Sequence, residues 1–455
     1  MGDTPNTITD SLGNNYTVGK KLSSGGQGIA CRIEGHPDLL VKFRYGNKKT
    51  LALEFKSKKF YNQNKETITH LMSLPQIERL TMPITLISKP YCGYLMRFMG
   101  GMESLNNFLV RYSTNSTLDY HGKLQKKKIL ILKSLADLLD TIHRKGMVYR
   151  DLSPNNIFIP IDEDKYNTWL IDVDNLDYAN IFTQQIGTPR YIAPEIKKGG
   201  VNTIYSDCYS FALIAFEVLT GNKPFDGSAS ENEDDDWDVV SNSDTFEEKC
   251  DRGEIDYILE PGTTNKRIYG LSPDFCMTEK MKELFLQTLS KEGRSAPYTR
   301  PSMNEWRIAL NEAANLLAMC DFGHYHFDNK CPFCLNIDPS LNKFKYYTLA
   351  MFKSVPVADE KDEKQKTIYL SANSYRFSLN PETKSEITLS IDVGTGSDAS
   401  LLVSHNKEKF TVSIGFPCKT KNKKEKDKSK TEFFICDMRG NPETELFLCE
   451  IKEDL

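Results

Sequence analysis

Residues 148–158 read VYRDLSPNNIF, and the fold turns on them. Asp151 follows an arginine, and Asn156 stands five positions later, between apolar runs that read as a helix end before and a short strand after. The loop is built to hold a carboxylate and a metal-binding amide at a fixed separation. An isolated Asp and Asn of this kind would equally well make Asx turns between two elements, so the flanking sequence decides. Upstream, residues 126–146 include ILILKSLADLLDTIH, whose apolar spacing predicts a buried helix. His143, near its end, reads as a helix-terminal histidine and not as a ligand. Downstream, WLIDVDNL is an apolar strand with Asp172 at its end, where a carboxylate meets a metal held by Asn156.

Further out, residues 16–35, YTVGKKLSSGGQGIACRIEG, alternate apolar and polar on both sides of a glycine cluster, which predicts a strand, a tight turn and a second strand. Gly25, Gly26 and Gly28 let backbone amides approach phosphate oxygens with no side chain in the way. The next strand, LLVKF, carries Lys42 among apolar neighbours, where an ammonium needs a reason to be buried.

Glycine cluster, lysine-bearing strand, catalytic-type loop and acid-ended strand follow one another in the order of the serine/threonine protein kinases, and the chain resembles that superfamily over residues 16–319. The loop resembles H-R-D-x-x-x-x-N, which implies that Asp151 orients the acceptor hydroxyl and accepts its proton while Asn156 and Asp172 hold magnesium. By the same resemblance Lys42 grips the nucleotide phosphates and needs a helix carboxylate. Glu66 is favoured because it lies nearer the segment leading into PITLI, with Glu54 open as the alternative. Ser23, Gly25, Gly26 and Gly28 would cover ATP, Ser23 standing where the first glycine of G-x-G-x-x-G is expected. GYLMRFMGGMESL resembles the hinge between two lobes. Met96 would line the back of the nucleotide pocket, and the backbone from Arg97 to Met99 would face the adenine. IGTPRYIAPE resembles the end of an activation segment, with Thr188 against the catalytic Asp and Ala193, Pro194 and Glu195 as the A-P-E anchor. Asp207 is expected to cap the apolar helix it leads and to tie down the loop, and Arg300 to pair with Glu195. There are two departures: Asp172-Val173-Asp174 stands for D-F-G, and Ser153 stands where a lysine is usual, which should cost rate.

The bulk properties agree with a folded, soluble protein. The 455 residues suffice for two or three domains, 39% are hydrophobic and 11% aromatic, and a net charge of -4 argues against general nucleic-acid or membrane-surface binding. No run approaches the ~18–20 apolar residues needed to cross a bilayer, and the start lacks a cationic segment before an apolar core, so a cytoplasmic location is expected. Eleven cysteines, an odd number scattered through core-like stretches, suit reduced thiols. The acidic GSASENEDDDWDVVSNSD reads as a solvated loop.

One cysteine cluster differs. In CDFGHYHFDNKCPFC, Cys331 and Cys334 form a C-P-x-C knuckle, and Cys320 with His324 or His326 completes four donors for a closed structural zinc site, His324 being favoured. A cysteine-rich tail after such a kinase, with DLSPNN and DVD, is similar to bacterial kinases found alongside PP2C-type phosphatases and von Willebrand-type proteins, which that resemblance implies as partners. Beyond a polar linker, KTIYLSAN, SYRFSL, SEITLSIDV, ASLLVSHN, KFTVSIGF, TEFFICDM and TELFLCEI read as short strands of a small antiparallel sandwich or barrel. The basic run KTKNKKEKDKSK reads as a protruding loop.

The expected architecture is α+β: a kinase N-lobe over 1–96, a C-lobe over 97–319, a zinc-binding segment over 320–336, a linker over 337–365 and a β-rich binding domain over 366–455. The expected function is ATP- and magnesium-dependent phosphoryl transfer to Ser/Thr of protein substrates. A pseudokinase scaffold and a small-molecule kinase are the alternatives.

Overall fold

A six-stranded antiparallel sheet forms from β1 (Thr7–Thr9), β2 (Asn15–Ser24), β3 (Gly28–Ile33), β4 (His36–Arg44), β5 (Thr85–Leu86) and β6 (Gly93–Arg97), in the order β1-β2-β3-β4-β6-β5. The computed structural model describes residues 4–24, 28–47, 49–114, 117–181, 187–231, 246–252 and 254–335, and beyond these the backbone of eight strands between 345 and 453. Strand alternation sends Ile29, Cys31, Val41 and Phe43 to one face, where they bury against Ile8, Leu53, Ile87 and Leu95. Leu40, Tyr94 and Met96 point to the other face and meet Tyr61 and Ile68 of helix α1 (Lys58–Ser73). Lys42 pairs with Tyr94 across the β4–β6 ladder, so the lysine lies on the face that α1 covers.

Helices α2 (Leu105–Thr114) and α3 (Leu118–Arg144) follow, then short strands that frame residues 149–156. Met147–Val148 pairs with Asp177–Tyr178, and Ile157–Pro160 lies between Trp169–Leu170 and Met102–Ser104. The apolar helix Ile204–Thr220 is buried over nearly its whole length, with Phe211 edge-on to Trp306 and Trp306 edge-on to Phe285. Its cap is Thr203, which forms a capping box with Ser206; the expected cap, Asp207, sits inside the first turn with its carboxylate turned to the backbone of residues 149 and 150.

Arg300 and Glu195 fasten the segment after Thr188. The fully buried guanidinium binds the carboxylate through both Nη atoms, at 2.8 and 2.9 Å, and donates through Nη1 to Tyr205 O and through Nε to Gly293 O. Arg300→Ala strands a largely desolvated carboxylate and two carbonyls. It should therefore lower stability by about 3–5 kcal/mol, read as a lower urea midpoint at unchanged m; a shift under about 1 kcal/mol would deny the pair that role.

The chain divides into two compact units, residues 1–114 with 130–270 and 281–307, and residues 115–129 with 271–280 and 308–455. The expected cut at 96/97 falls inside the first unit, and the second recruits stretches from within the expected C-lobe. Side-chain contacts explain this recruitment: Gln125 Nε2 donates to Cys276 O at 2.8 Å, the Phe275 and Phe333 rings meet at 5.9 Å, and a side chain at Gly122 would strike Phe333 and His324.

The expected linker is also corrected. It contains the strand Lys345–Ala358, paired along its length with Gln365–Leu379, because YYTLAMFKSVPVA is rich in aromatic and β-branched residues that outweigh its charged flanks. Two antiparallel sheets of five and three strands account for the described backbone beyond residue 344.

Candidate active site and candidate metal centre

Two non-glycine residues with left-handed backbone frame the site, Arg150 at φ 71° and Asp172 at φ 57°. Such conformations cost about 1–3 kcal/mol each and persist only where the surroundings over-determine them. Around Arg150 that hold is visible: buried Asp207 accepts from the amides of Tyr149 (2.7 Å) and Arg150 (3.0 Å) and lies 3.0 Å from His143 Nε2, while Arg150 Nη2 donates to Tyr178 O at 2.9 Å. Around Asp172, the buried Tyr149 hydroxyl donates to the carbonyls of Ile171 and Asp172, and the Ile171 amide donates to Asn156 O at 3.0 Å. The loop and the DVD segment are thereby tied to each other.

At the centre, Asp151 Oδ1 accepts from Thr188 Oγ1 at 2.9 Å, Asp151 Oδ2 lies 3.4 Å from Asn175 Nδ2, and Asn156 Nδ2 donates to Asp151 O at 2.9 Å. With its amide nitrogen committed to that carbonyl, Asn156 has its side-chain oxygen to offer a cation. Asp172 keeps a side chain 31% exposed, open enough to give a hard metal ion an oxygen. Ser153 is buried and brings no charge to the loop.

Lys42 does not meet a carboxylate of α1. Its Nζ lies 2.6 Å from Asp172 Oδ1 and 2.8 Å from Asp174 Oδ2. Glu66 and Glu54 are both exposed. The buried stripe of α1 runs through Tyr61, Ile68 and Leu71, and Glu66 falls off that stripe, which corrects the expected Lys42–Glu66 pair. Burial works against the Lys42 ammonium, yet Tyr94, Asp174 and Asp172 outweigh it and raise its pKa above the ordinary lysine value.

The glycine-rich hairpin is described in part. Ser23 is exposed and pairs with Ala30; Gly25 and Gly26 lie outside the described residues. Gly28 has a packing reason, since a Cβ there would come within 1.8 Å of Phe43 O. Buried Met96 pairs with Leu40, exposed Arg97 lies over the Trp169 ring, and Met99 is half-buried. The intervening Phe98 amide is already taken by Asp38 O at 2.7 Å.

A second cluster gathers Cys320, His324, Cys331 and Cys334, all buried, with ligand atoms within 4.8 Å of one another. His324 Nδ1 lies 3.3 Å from Cys334 Sγ and 3.6 Å from Cys331 Sγ, spacings near the roughly 3.3–3.8 Å expected between donors on one tetrahedral zinc. His324 Nε2 is 3.0 Å from Asp119 Oδ1, the outer carboxylate that commonly orients a metal-bound imidazole. His326 turns its Nδ1 to Asp328 O instead. The hydrogen bond from Cys331 draws the Cys320 thiol down to about 5, and donating that bond raises Cys331; burial pushes Cys334 up to about 11. A cation among the three sulfurs would favour their ionised forms together.

Sequence reading named Asp174 only as part of the triplet that replaces D-F-G and missed its contact with Lys42, along with Arg44, Tyr94, Asn175 and the His143–Asp207 contact. A signal for Asp174 and Arg44 existed: each stands two residues from a singled-out group, Asp172 and Lys42, and in the strand the period of two puts Arg44 on the Lys42 face.

Among known proteins, the protein kinase domain family matches residues 51–307, a span that begins after Lys42 and the hairpin. Serine/threonine-protein kinase pkn2 of Myxococcus xanthus is 36% identical over 110 residues, 22% of this chain and 13% of that protein. A Dictyostelium discoideum protein named as a probable serine/threonine-protein kinase, gdt4, is 27% identical over 170 residues, 34% of this chain and 10% of its own. Inhibitor of nuclear factor kappa-B kinase subunit beta of Bos taurus is 33% identical over 100 residues, 21% of this chain and 13% of that subunit. The chain thus aligns with 10 to 13% of the length of these three relatives.

Proposed function

The chain belongs to the protein kinase family, and from that premise we propose that it transfers the terminal phosphate of ATP to Ser/Thr hydroxyls of protein substrates. The observation that carries the reading is the Asp151 carboxylate, held by Thr188 and Asn175 on a loop fastened to Asp207 and tied to Asp172. Asp151 would orient the acceptor hydroxyl and take its proton; Lys42 would bind the nucleotide phosphates; Ser23, Gly25, Gly26, Gly28, Met96, Arg97 and Met99 would enclose the nucleotide. Asn156 and Asp172 would hold magnesium, which when bound supplies neutralisation of phosphate charge. Thr188 and the Glu195–Arg300 anchor favour a protein acceptor over a small molecule. Buried Ser153 favours slow transfer, and in the limit a nucleotide-binding scaffold.

The second cluster is proposed to hold zinc through Cys320, His324, Cys331 and Cys334, a closed donor set with no open position and hence structural. The backbone strands beyond residue 344 would form a binding domain. With the cysteine-rich segment, DLSPNN and DVD, the chain would join the bacterial kinases that work beside a PP2C-type phosphatase and a von Willebrand-type protein. Among the described residues no helix is long and apolar enough to cross a membrane, and a cytoplasmic setting is proposed on the sequence alone.

Thermal shift tests the nucleotide half of the reading. ATP with magnesium should raise the melting temperature of the parent protein by several degrees, and Asp172→Ala should lose the magnesium-dependent part of that rise. An equal rise in parent and variant would remove Asp172 from the metal site.

A further inference from the structure

Lys42 needs a carboxylate that stays with it once Asp172 is committed to a cation, and α1 offers none on the right side. Its single acid, Glu66, is exposed. The helix position on the sheet-facing stripe, Asn64, is neutral and donates its Nδ2 to Phe60 O at 2.9 Å.

Asp174 is placed otherwise. Its side chain is 2% exposed, against 31% for Asp172, and it receives three groups from two neighbouring strands: Lys42 Nζ at 2.8 Å, the Tyr94 hydroxyl at 3.0 Å, and Arg44 Nη2 at 2.8 Å as an ion pair without hydrogen-bond alignment. Lys42 and Tyr94 are cross-strand partners and Arg44 lies two residues further on the same face, so the ladder register aims all three at one point. Two cationic side chains and a hydroxyl thus pin the Asp174 carboxyl from three sides.

Resting on the kinase reading, we propose that Asp174, not a carboxylate of α1, is the positioning residue for Lys42. Arg44 and Tyr94 fix Asp174, and Asp174 holds the Lys42 ammonium toward the nucleotide phosphates. Asp172, the more exposed of the two acids, is thereby left for the cation. The lysine's orientation then depends on the segment after Asp172 and not on the position of α1.

A double-mutant cycle on the full chain tests this, with direct binding of ATP measured with and without magnesium. Asp174→Asn should weaken binding about tenfold in the parent, in both magnesium conditions, and less than about twofold in a Lys42→Met background, because the carboxylate acts through the lysine. Melting temperatures recorded alongside identify the range in which each variant is folded. Loss of the same size in both backgrounds, or no loss in the parent, would overturn the inference while leaving the kinase reading standing. A parent protein that binds no ATP would overturn both.

Discussion

Asp151→Asn should reduce phosphoryl transfer by about 10²–10⁴-fold, the range a positioned general base contributes, while nucleotide binding stays nearly intact. The asymmetry follows from what the carboxylate touches. Its oxygens face Thr188 Oγ1 and Asn175 Nδ2, and the groups proposed to meet ATP and its cation, Lys42, Asn156 and Asp172, keep their own contacts when the charge at 151 is removed. The amide is nearly isosteric and can still accept from Thr188, so the loop should hold its shape. Steady-state transfer and direct ATP binding, measured on the same preparation, separate the two effects. Equal turnover in variant and parent would remove Asp151 from the chemistry.

The other large effect is expected at the cysteine cluster. Protein purified without chelator should carry about one zinc per chain, and Cys331→Ser or Cys334→Ser should release it. Apparent binding free energies of structural zinc run to about 10–16 kcal/mol, and in a site that forms only on folding they contribute to folding itself. Residues 320–335 should then lose protection from hydrogen exchange and proteolysis. Phosphoryl transfer should persist at least in part, since no group proposed for the active site comes from this segment. Metal analysis that finds no zinc would refute the site, and zinc whose removal abolishes transfer with the fold unchanged would recast it as regulatory.

What could be read from the sequence was whatever lies close along the chain. Asp151 and Asn156 share one loop, Thr188 and Glu195 share one motif, and the four thiol and imidazole donors fall within fifteen residues, so spacing alone brings them to notice. Apolar periodicity likewise marked the long helix before the loop and the buried helix after it.

The misses share a different cause. The partner of Lys42 depends on which face of a sixteen-residue helix meets the sheet, and the only helix acid falls off that face while an acid 132 positions away in the chain reaches the lysine. Of the two roles the sequence suggests for Asp207, the helix cap goes instead to Thr203, while the tie to the loop is met by its bonds to the amides of residues 149 and 150. Charged flanks hid Lys345–Ala358, which pairs with the next strand, Gln365–Leu379, on one side and with the distant Glu445–Glu453 on the other.

The most direct test of the account is transfer from labelled ATP. Full-length protein, with magnesium and a generic protein acceptor, should incorporate label into Ser or Thr of the acceptor or of itself, at a rate slowed by Ser153 and lower by about 10²–10⁴-fold in Asp151→Asn. Tight ATP binding with no label transferred to any hydroxyl, under conditions in which the parent is folded, would contradict the account and leave a nucleotide-binding scaffold in its place.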